Sequence, residues 1–408
     1  MKKLKILLLS FEFPPYPLAG AGHYALNLAK ALKDHDVTVI TPNHSGKDNE
    51  EDIEGAHTKR VNMTSLTFLN KLTGQAKANR SFIDKKKTIF AKKVRTYINH
   101  NINLDDYDIF HSLNERDAAF LDFDHMNKHL PTIVSVNDYY ILGSSLNPLK
   151  FHFKSTDLPL RYVHHNIMKR FYVRALQRCT KIVPNCHFVS RTIQETTGVS
   201  PEKIKVIHRG IDTKKFDIPP AKDKYTNKKI LFVGPNAERK GAIFVIKAMP
   251  DILKRHPEAT LTLIGSAPTL YKSKIQAFIK RNNLTSKVTY IEHLPQDKLL
   301  DYYKHANVFI MPSIMEALGQ VYLEAMTAKT PVIGADVGGV GEIITPDVGT
   351  LVKPQSPQAT ADAINKILSD SALAKKMGKA GHARATGYFS IERQMKETIE
   401  LYQELIRK

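Results

Sequence analysis

The chain has 408 residues, 42% hydrophobic and 25% charged, with a formal net charge of +20. Those proportions exclude disordered and fibrous classes, and the length exceeds one ordinary core, so two domains are expected. The charge favours anionic partners (nucleic acid, acidic lipid or a phosphorylated substrate) without choosing among them.

The opening MKKLKILLLSFEF has a basic start, but its apolar core is only 6–9, and Glu12 and Pro14 follow at once. It reads as a first buried strand rather than a secretory signal. Further strands are predicted near 37–41, 109–111, 132–136 and 182–184, then near 230–233, 261–264, 288–291, 308–311 and 332–334, alternating with helical patterns. Such alternation predicts an α/β fold with two doubly wound parallel sheets. DIPPAKDKYTNKK, 217–229, has paired prolines and no apolar periodicity and reads as the linker between a domain over 1–216 and another over 230–391. A helix over 392–405 is free to pack back on the first domain. Ligands of such sheets bind beyond the carboxyl ends of the strands, so two sheets facing each other would share one cleft. No apolar run approaches the roughly 20 residues that span a bilayer. Cys179 and Cys186 lack metal-ligand spacing, which fits a reducing compartment, and a cytoplasmic protein is expected.

Three motifs bear on chemistry. In FPPYPLAGAGHYALNLAKAL, Gly20 and Gly22 sit where a strand turns into a helix. Free amides there attract phosphate and glycine allows close approach, although a plain tight turn reads the same way. FVGPNAERKG, 232–241, repeats the arrangement in the second half, with Arg239 and Lys240 as cations for a diphosphate or as part of a solvated loop. MEALGQVYLEAM, 315–326, sets Glu316 before a helix predicted to start near 318–320 and Glu324 about a turn and a half inside it. At about 1.5 Å per residue the carboxylates lie on the order of 10 Å apart along the axis. Acceptor, phosphate site and acceptor in a line match the hexose, diphosphate and ribose of a nucleotide sugar. The plainer alternative is a capping Glu316 and an exposed Glu324.

SIMEALGQVYLEAMTAKTPVI resembles the glutamate, seven residues, glutamate signature of retaining glycosyltransferases of family 4, which have the two-domain GT-B fold. VIHRGID at 206–212, GGVGEII at 338–344 and the first glycine loop resemble that family's other landmarks, in the same order. The resemblance implies that Glu324 binds the donor ribose and Glu316 the transferred sugar. Amides of Ala317, Leu318, Gly319 and Gln320 face the phosphates, with Lys240 as the main counter-charge and Arg239 or Arg209 in support. The Gly20 amide closes from the first domain, and His111 and Asn137 stand on the acceptor side. It also implies retention by front-face attack, no dedicated protein base and no metal cofactor. The sequence departs from the family at Pro235, where arginine is usual, at Asn137, where histidine is usual, and mildly at Ala19.

DYD at 106–108 and DFD at 122–124 resemble the metal-binding pair of another glycosyltransferase fold, but the first precedes a strand instead of ending one. The stretch 71–95 is rich in lysine, with Phe90, Val94 and Ile98 at helical spacing, and suits either an anionic membrane surface or a solvated face. A second basic helix, with Val163, Ile167, Phe171 and Ala175 in a stripe beside Lys169, Arg170, Arg174 and Arg178, reads as an ordinary crossover helix. The expected partners are a nucleotide-sugar donor, a glycan or lipid-linked acceptor and an anionic inner membrane face. An epimerase or phosphorylase on the same fold is the sister reading. A nucleic-acid-binding protein is the alternative from another class, although no recognised module is visible and aromatics do not interleave with the basic runs.

Overall fold

The computed structural model describes residues 3–15, 20–43, 48–63, 80–139, 158–234 and 239–407. The chain forms two compact units, Met1–Ile207 with Met395–Lys408, and His208–Gln394.

In the first unit the order is β1 (Lys5–Leu9), α1 (Gly20–Ala31), β2 (Asp36–Asn43), β3 (Asn49–Ile53), β4 (Ala56–Asn62), α2 (Arg80–Asn101), β5 (Ile109–Ser112), α3 (Phe123–Met126), β6 (Thr132–Val136), α4 (Leu158–Arg178), β7 (Lys181–Pro184) and α5 (His187–Thr197). The strands form one sheet in the order β3-β4-β2-β1-β5-β6-β7, parallel except where β3 runs antiparallel to β4. The central strands are continuous apolar runs because both faces are covered: Ile6, Leu7, Leu8 and Leu9 are all fully buried. The antiparallel pair escapes an apolar reading because it is polar. Its turn, Glu54-Gly55, has positive φ at both residues, and Lys59 pairs with Glu50 across the ladder at 2.6 Å. Such charges keep an edge strand from pairing with other chains.

The second unit runs α6 (Thr213–Phe216), β8 (Lys229–Val233), α7 (Ala242–Arg255), β9 (Thr260–Ile264), α8 (Thr269–Arg281), β10 (Val288–Ile291), α9 (Gln296–His305), β11 (Val308–Met311), α10 (Gln320–Thr327), β12 (Val332–Ala335), α11 (Val340–Ile343), β13 (Gly349–Val352), α12 (Pro357–Ser369), α13 (Ser371–Tyr388) and α14 (Ile391–Ile406). Its sheet is wholly parallel, ordered β10-β9-β8-β11-β12-β13. That order reverses between β8 and β11, where ligands of doubly wound sheets bind.

The segment expected as a linker is packed into this second unit. Lys224 is fully buried, and its ammonium donates to the Tyr303 carbonyl at 2.6 Å and to Thr330 Oγ1 at 2.8 Å, while Asn307 donates to the Lys224 carbonyl at 3.0 Å. Burial pushes its pKa down to about 7. The segment shows no apolar periodicity because polar bonds to neighbouring backbone hold it. From Met395 on, α14 belongs to the first unit, where the Tyr402 hydroxyl meets His111 Nδ1 at 2.6 Å. Among the described residues no helix is long and apolar enough to cross a membrane.

Candidate active site

The site of the second unit is assembled from the turns after β8 and β11, strands that pair directly. Gly234 follows β8, and Arg239, Lys240 and Gly241 precede α7, with Gly241 as its N-cap. Gly241 has φ +80°, and a Cβ there would stand 2.0 Å from the Pro312 carbonyl oxygen, so only glycine lets the two turns touch. The Ile314 amide donates to the Arg239 carbonyl at 2.9 Å, which ties the turns together.

This contact delivers the central pair. Lys240 Nζ donates to Glu316 Oε2, and both residues are buried. The lysine stem lies beside Gly234, where a Cβ would stand 3.3 Å from Lys240 Cγ, so its ammonium is presented at the end of the sheet. Glu316 therefore does not cap the helix, which begins at Gln320 and has Gly319 as its N-cap with no side-chain hydrogen bond. Gly319 adopts φ +93°, and a Cβ there would lie 2.6 Å from the Tyr322 ring. Tyr322, fully buried, donates its hydroxyl to the Met311 carbonyl and sets the floor beneath this turn. The start of α10 has no side-chain cap, and the Lys240–Glu316 pair stands at the neighbouring turn.

Glu324 projects from α10 and is half-buried. Tyr303 on α9, fully buried, donates its hydroxyl to Glu324 Oε2 at 2.9 Å. Burial pushes the Glu324 carboxyl up to about 7 even though the Tyr303 hydrogen bond and the Lys215 charge pull it down. Burial likewise holds the Tyr303 hydroxyl well above the usual phenol range, so it remains a donor.

The structure brings Lys240, Glu316, Ala317, Leu318 and Gly319 onto the turn after β11 and its partner turn, with Gln320 and Glu324 on the helix that follows. The Gly339 amide donates to the Ala317 carbonyl at 2.9 Å, which docks the 338–344 loop on the same turn. Arg239 braces the turn, with Nη1 directed at the Met315 carbonyl at 3.3 Å. Arg209 is buried beside His208, whose Nε2 meets Glu342 Oε2 at 2.8 Å. Pro235 and Ala19 lie outside the described residues.

In the first unit Gly20 is the first residue of α1, and the Gly22 amide donates to Glu12 Oε2 at 3.3 Å. Asn137 Nδ2 donates to the Leu113 carbonyl at 2.8 Å. His111 requires a correction: it is a core residue with no exposed surface, its Nε2 meeting Ser135 Oγ at 2.8 Å and its Nδ1 meeting Tyr402. Burial lowers its pKa to about 3. A neutral histidine with both nitrogens occupied has nothing to offer an acceptor. Three of the four aspartates of the two DxD triplets take structural contacts: Asp108 accepts from the Lys5 amide at 2.7 Å, Asp122 caps α3, and Asp124 pairs with Arg178 at 2.6 Å. Tyr303, Tyr322 and the His208–Glu342 pair escaped the sequence reading. The only local signal for the tyrosines is an aromatic at an apolar helical position, which ordinarily marks core.

A family profile described as Glycosyltransferase Family 4 matches residues 18–215, and one described as Glycosyl transferases group 1 matches residues 213–384. An uncharacterized glycosyltransferase of Methanocaldococcus jannaschii is 27% identical over 98% of this chain and 98% of its own. Among solved structures, sucrose-phosphate synthase of Thermosynechococcus elongatus superposes with a TM-score of 0.76 at 21% identity, covering 99% of this chain and all of that one. HepE of Anabaena in complex with UDP-glucose gives 0.68 at 18% identity, covering 98% of this chain and all of that one.

Proposed function

The chain belongs to the family 4 glycosyltransferases, and from that premise we propose that it moves a hexose-type sugar from a UDP- or GDP-sugar to a hydroxyl of a glycan or lipid-linked acceptor, with retention of configuration. Its two parallel-sheet α/β domains have the GT-B fold. The observation that carries the proposal is the buried Lys240–Glu316 contact beside the uncapped start of α10, at the reversal of strand order.

A nucleoside diphosphate sugar is anionic at its centre and rich in hydroxyls at both ends. Lys240 and the amides of 317–320 meet the diphosphate, Glu316 accepts from hydroxyls of the transferred sugar, and Glu324 accepts from the ribose. As the sugar–phosphate bond breaks, negative charge grows on the leaving diphosphate, and a fixed ammonium and fixed amides stabilise it without reorganising. The departing phosphate oxygen takes the proton of the acceptor hydroxyl, which attacks from the same face, so no protein base is required. Arg239 and Arg209 support the phosphates. The lysine-rich stretch 71–95 suits an acceptor presented at an anionic membrane surface on the cytoplasmic face.

A thermal-shift screen against UDP-, GDP- and ADP-sugars tests the donor. A ligand at 100 times its Kd stabilises by about 2.7 kcal/mol, and no shift with any of them sinks the proposal. Because protein cations and amides meet the diphosphate, transfer should persist in EDTA. A loss that Mg²⁺ or Mn²⁺ restores would show that a metal carries that charge.

A further inference from the structure

We infer that Tyr303 is a positioning residue for nucleotide binding: its hydroxyl fixes the Glu324 carboxylate so that one oxygen is committed to the protein and the other is presented to the ribose. The inference rests on the reading of Glu324 as the ribose acceptor and adds a residue from another helix to it.

Tyr303 stands on α9 and Glu324 on α10, yet the hydroxyl lies 2.9 Å from Glu324 Oε2. The tyrosine cannot swing away. Its ring packs against Phe216 at 6.2 Å and Phe309 at 6.0 Å between centroids, and its carbonyl accepts from the buried Lys224 ammonium at 2.6 Å. A carboxylate on a helix surface samples several rotamers, and each is lost when a ligand orders it. One hydrogen bond from a rigid phenol removes that cost in advance.

The same bond affects ionisation. A hydroxyl donated to a carboxylate favours its charged form, so its removal leaves burial less opposed and moves the carboxyl further up from about 7. The groups that act on Glu324 from the elements packed on α10 are Tyr303 from α9 and Lys215 from α6; on α13, His382 bonds the Thr327 carbonyl at 2.9 Å, and β12 presents no ionisable side chain. Lys215 also favours the charged form, and Tyr303 is the larger influence of the two.

UDP and GDP are titrated calorimetrically into the wild type, Tyr303→Phe, Glu324→Gln and the double variant, from pH 6 to 8.5. Whichever nucleotide binds, wild-type affinity should fall as the pH drops below about 7, because a protonated carboxyl accepts less well. Tyr303→Phe should weaken binding about tenfold at pH 7, as expected for a hydrogen bond to a charged group, and should raise the midpoint of the pH profile. In the Glu324→Gln background, Tyr303→Phe should change nothing further, and the profile should keep only the titration of the nucleotide's own terminal phosphate. A purely structural role for the phenol would lower the melting temperature and leave the midpoint in place, and that result overturns the inference. So does a full tenfold loss that persists in the Glu324→Gln background. If Glu324→Gln itself leaves UDP and GDP affinity unchanged, the ribose assignment has failed instead.

Discussion

The two units contain the same turn used in opposite ways. In each, a central strand (β1 or β11) leads into a helix at the place where the sheet order reverses. In the first unit the chain fills the helix start itself: the Glu12 carboxylate takes the Gly22 amide, and Lys87 balances it at 3.4 Å. In the second, Gly319 caps α10 with no side chain, and the nearby Glu316 turns to Lys240. Two like folds thus differ in what the carboxylate of a Lys–Glu pair does: Glu12 takes an amide of α1, whereas Glu316 leaves the start of α10 without a side-chain cap.

The largest effect should come from Lys240→Ala. Loss of one phosphate cation should cost at least tenfold in turnover, about 1.4 kcal/mol. The substitution also strands a buried carboxylate, at about 3 kcal/mol of stability. Lys240→Ala with Glu316→Ala should recover most of the melting temperature and none of the activity. A double variant as unstable as the single would show that the pair is not what holds the turn. Near-normal turnover in the single variant would pass the phosphate role to Arg239 or Arg209.

Next is Gly319→Ala, for which about 2 kcal/mol of destabilisation and a severe loss of nucleotide binding are expected, since the residue combines left-handed backbone with a ring 2.6 Å from the new methyl. The comparison sharpens if Gly319→Ala with Tyr322→Leu regains stability without regaining binding. It breaks if Gly319→Ala alone binds UDP or GDP as before.

The difference between the turns was partly legible in the sequence. Buried parallel strands announce themselves as short apolar runs, and the spacing of Glu316, Gly319 and Glu324 around a helix start survives without tertiary information. Other features depend on distant partners. Glu316 meets a lysine 76 positions away, Glu324 a tyrosine 21 positions away, and His111 a tyrosine 291 positions away. His111 ends a predicted strand at the edge where ligands bind, and nothing local says that α14 covers it. The 49–62 hairpin was invisible for the converse reason, since its charges satisfy one another across the ladder and leave no apolar period.

A smaller effect is expected on α2. Phe90, Val94 and Ile98 are buried, so the helix has an inner face. Its lysines are not all available to a membrane: Lys87 serves Glu12, Lys93 donates to the Asn62 carbonyl at 2.8 Å, and Lys92 lies 5.4 Å from the Phe120 ring centre. Residues 71–79 of the basic stretch lie outside those described. If this helix rests on anionic lipid, Arg95, which is exposed, should contribute about 1 kcal/mol, screened as salt rises. Co-sedimentation with phosphatidylserine vesicles should weaken in Arg95→Gln and at high salt while nucleotide affinity stays unchanged. Equal binding to neutral vesicles removes the membrane role.

The smallest effect tests the comparison at its origin. Glu12→Ala removes the carboxylate that occupies the start of α1 and leaves Lys87 without that partner. A carboxylate at a helix N-terminus contributes about 0.3–1 kcal/mol when exposed, and Glu12 is only partly buried, so the melting temperature should fall slightly. Nucleotide affinity should not fall, because the first unit's turn is taken to be self-satisfied rather than donor-binding. Inorganic phosphate then becomes informative: freed amides beside a lysine form an anion site, so phosphate should stabilise Glu12→Ala more than the wild type. If phosphate stabilises both equally, Glu12 is not an internal stand-in for an anion. If Glu12→Ala loses nucleotide affinity as strongly as Lys240→Ala does, the two turns are alike after all, and the first takes part in holding the donor.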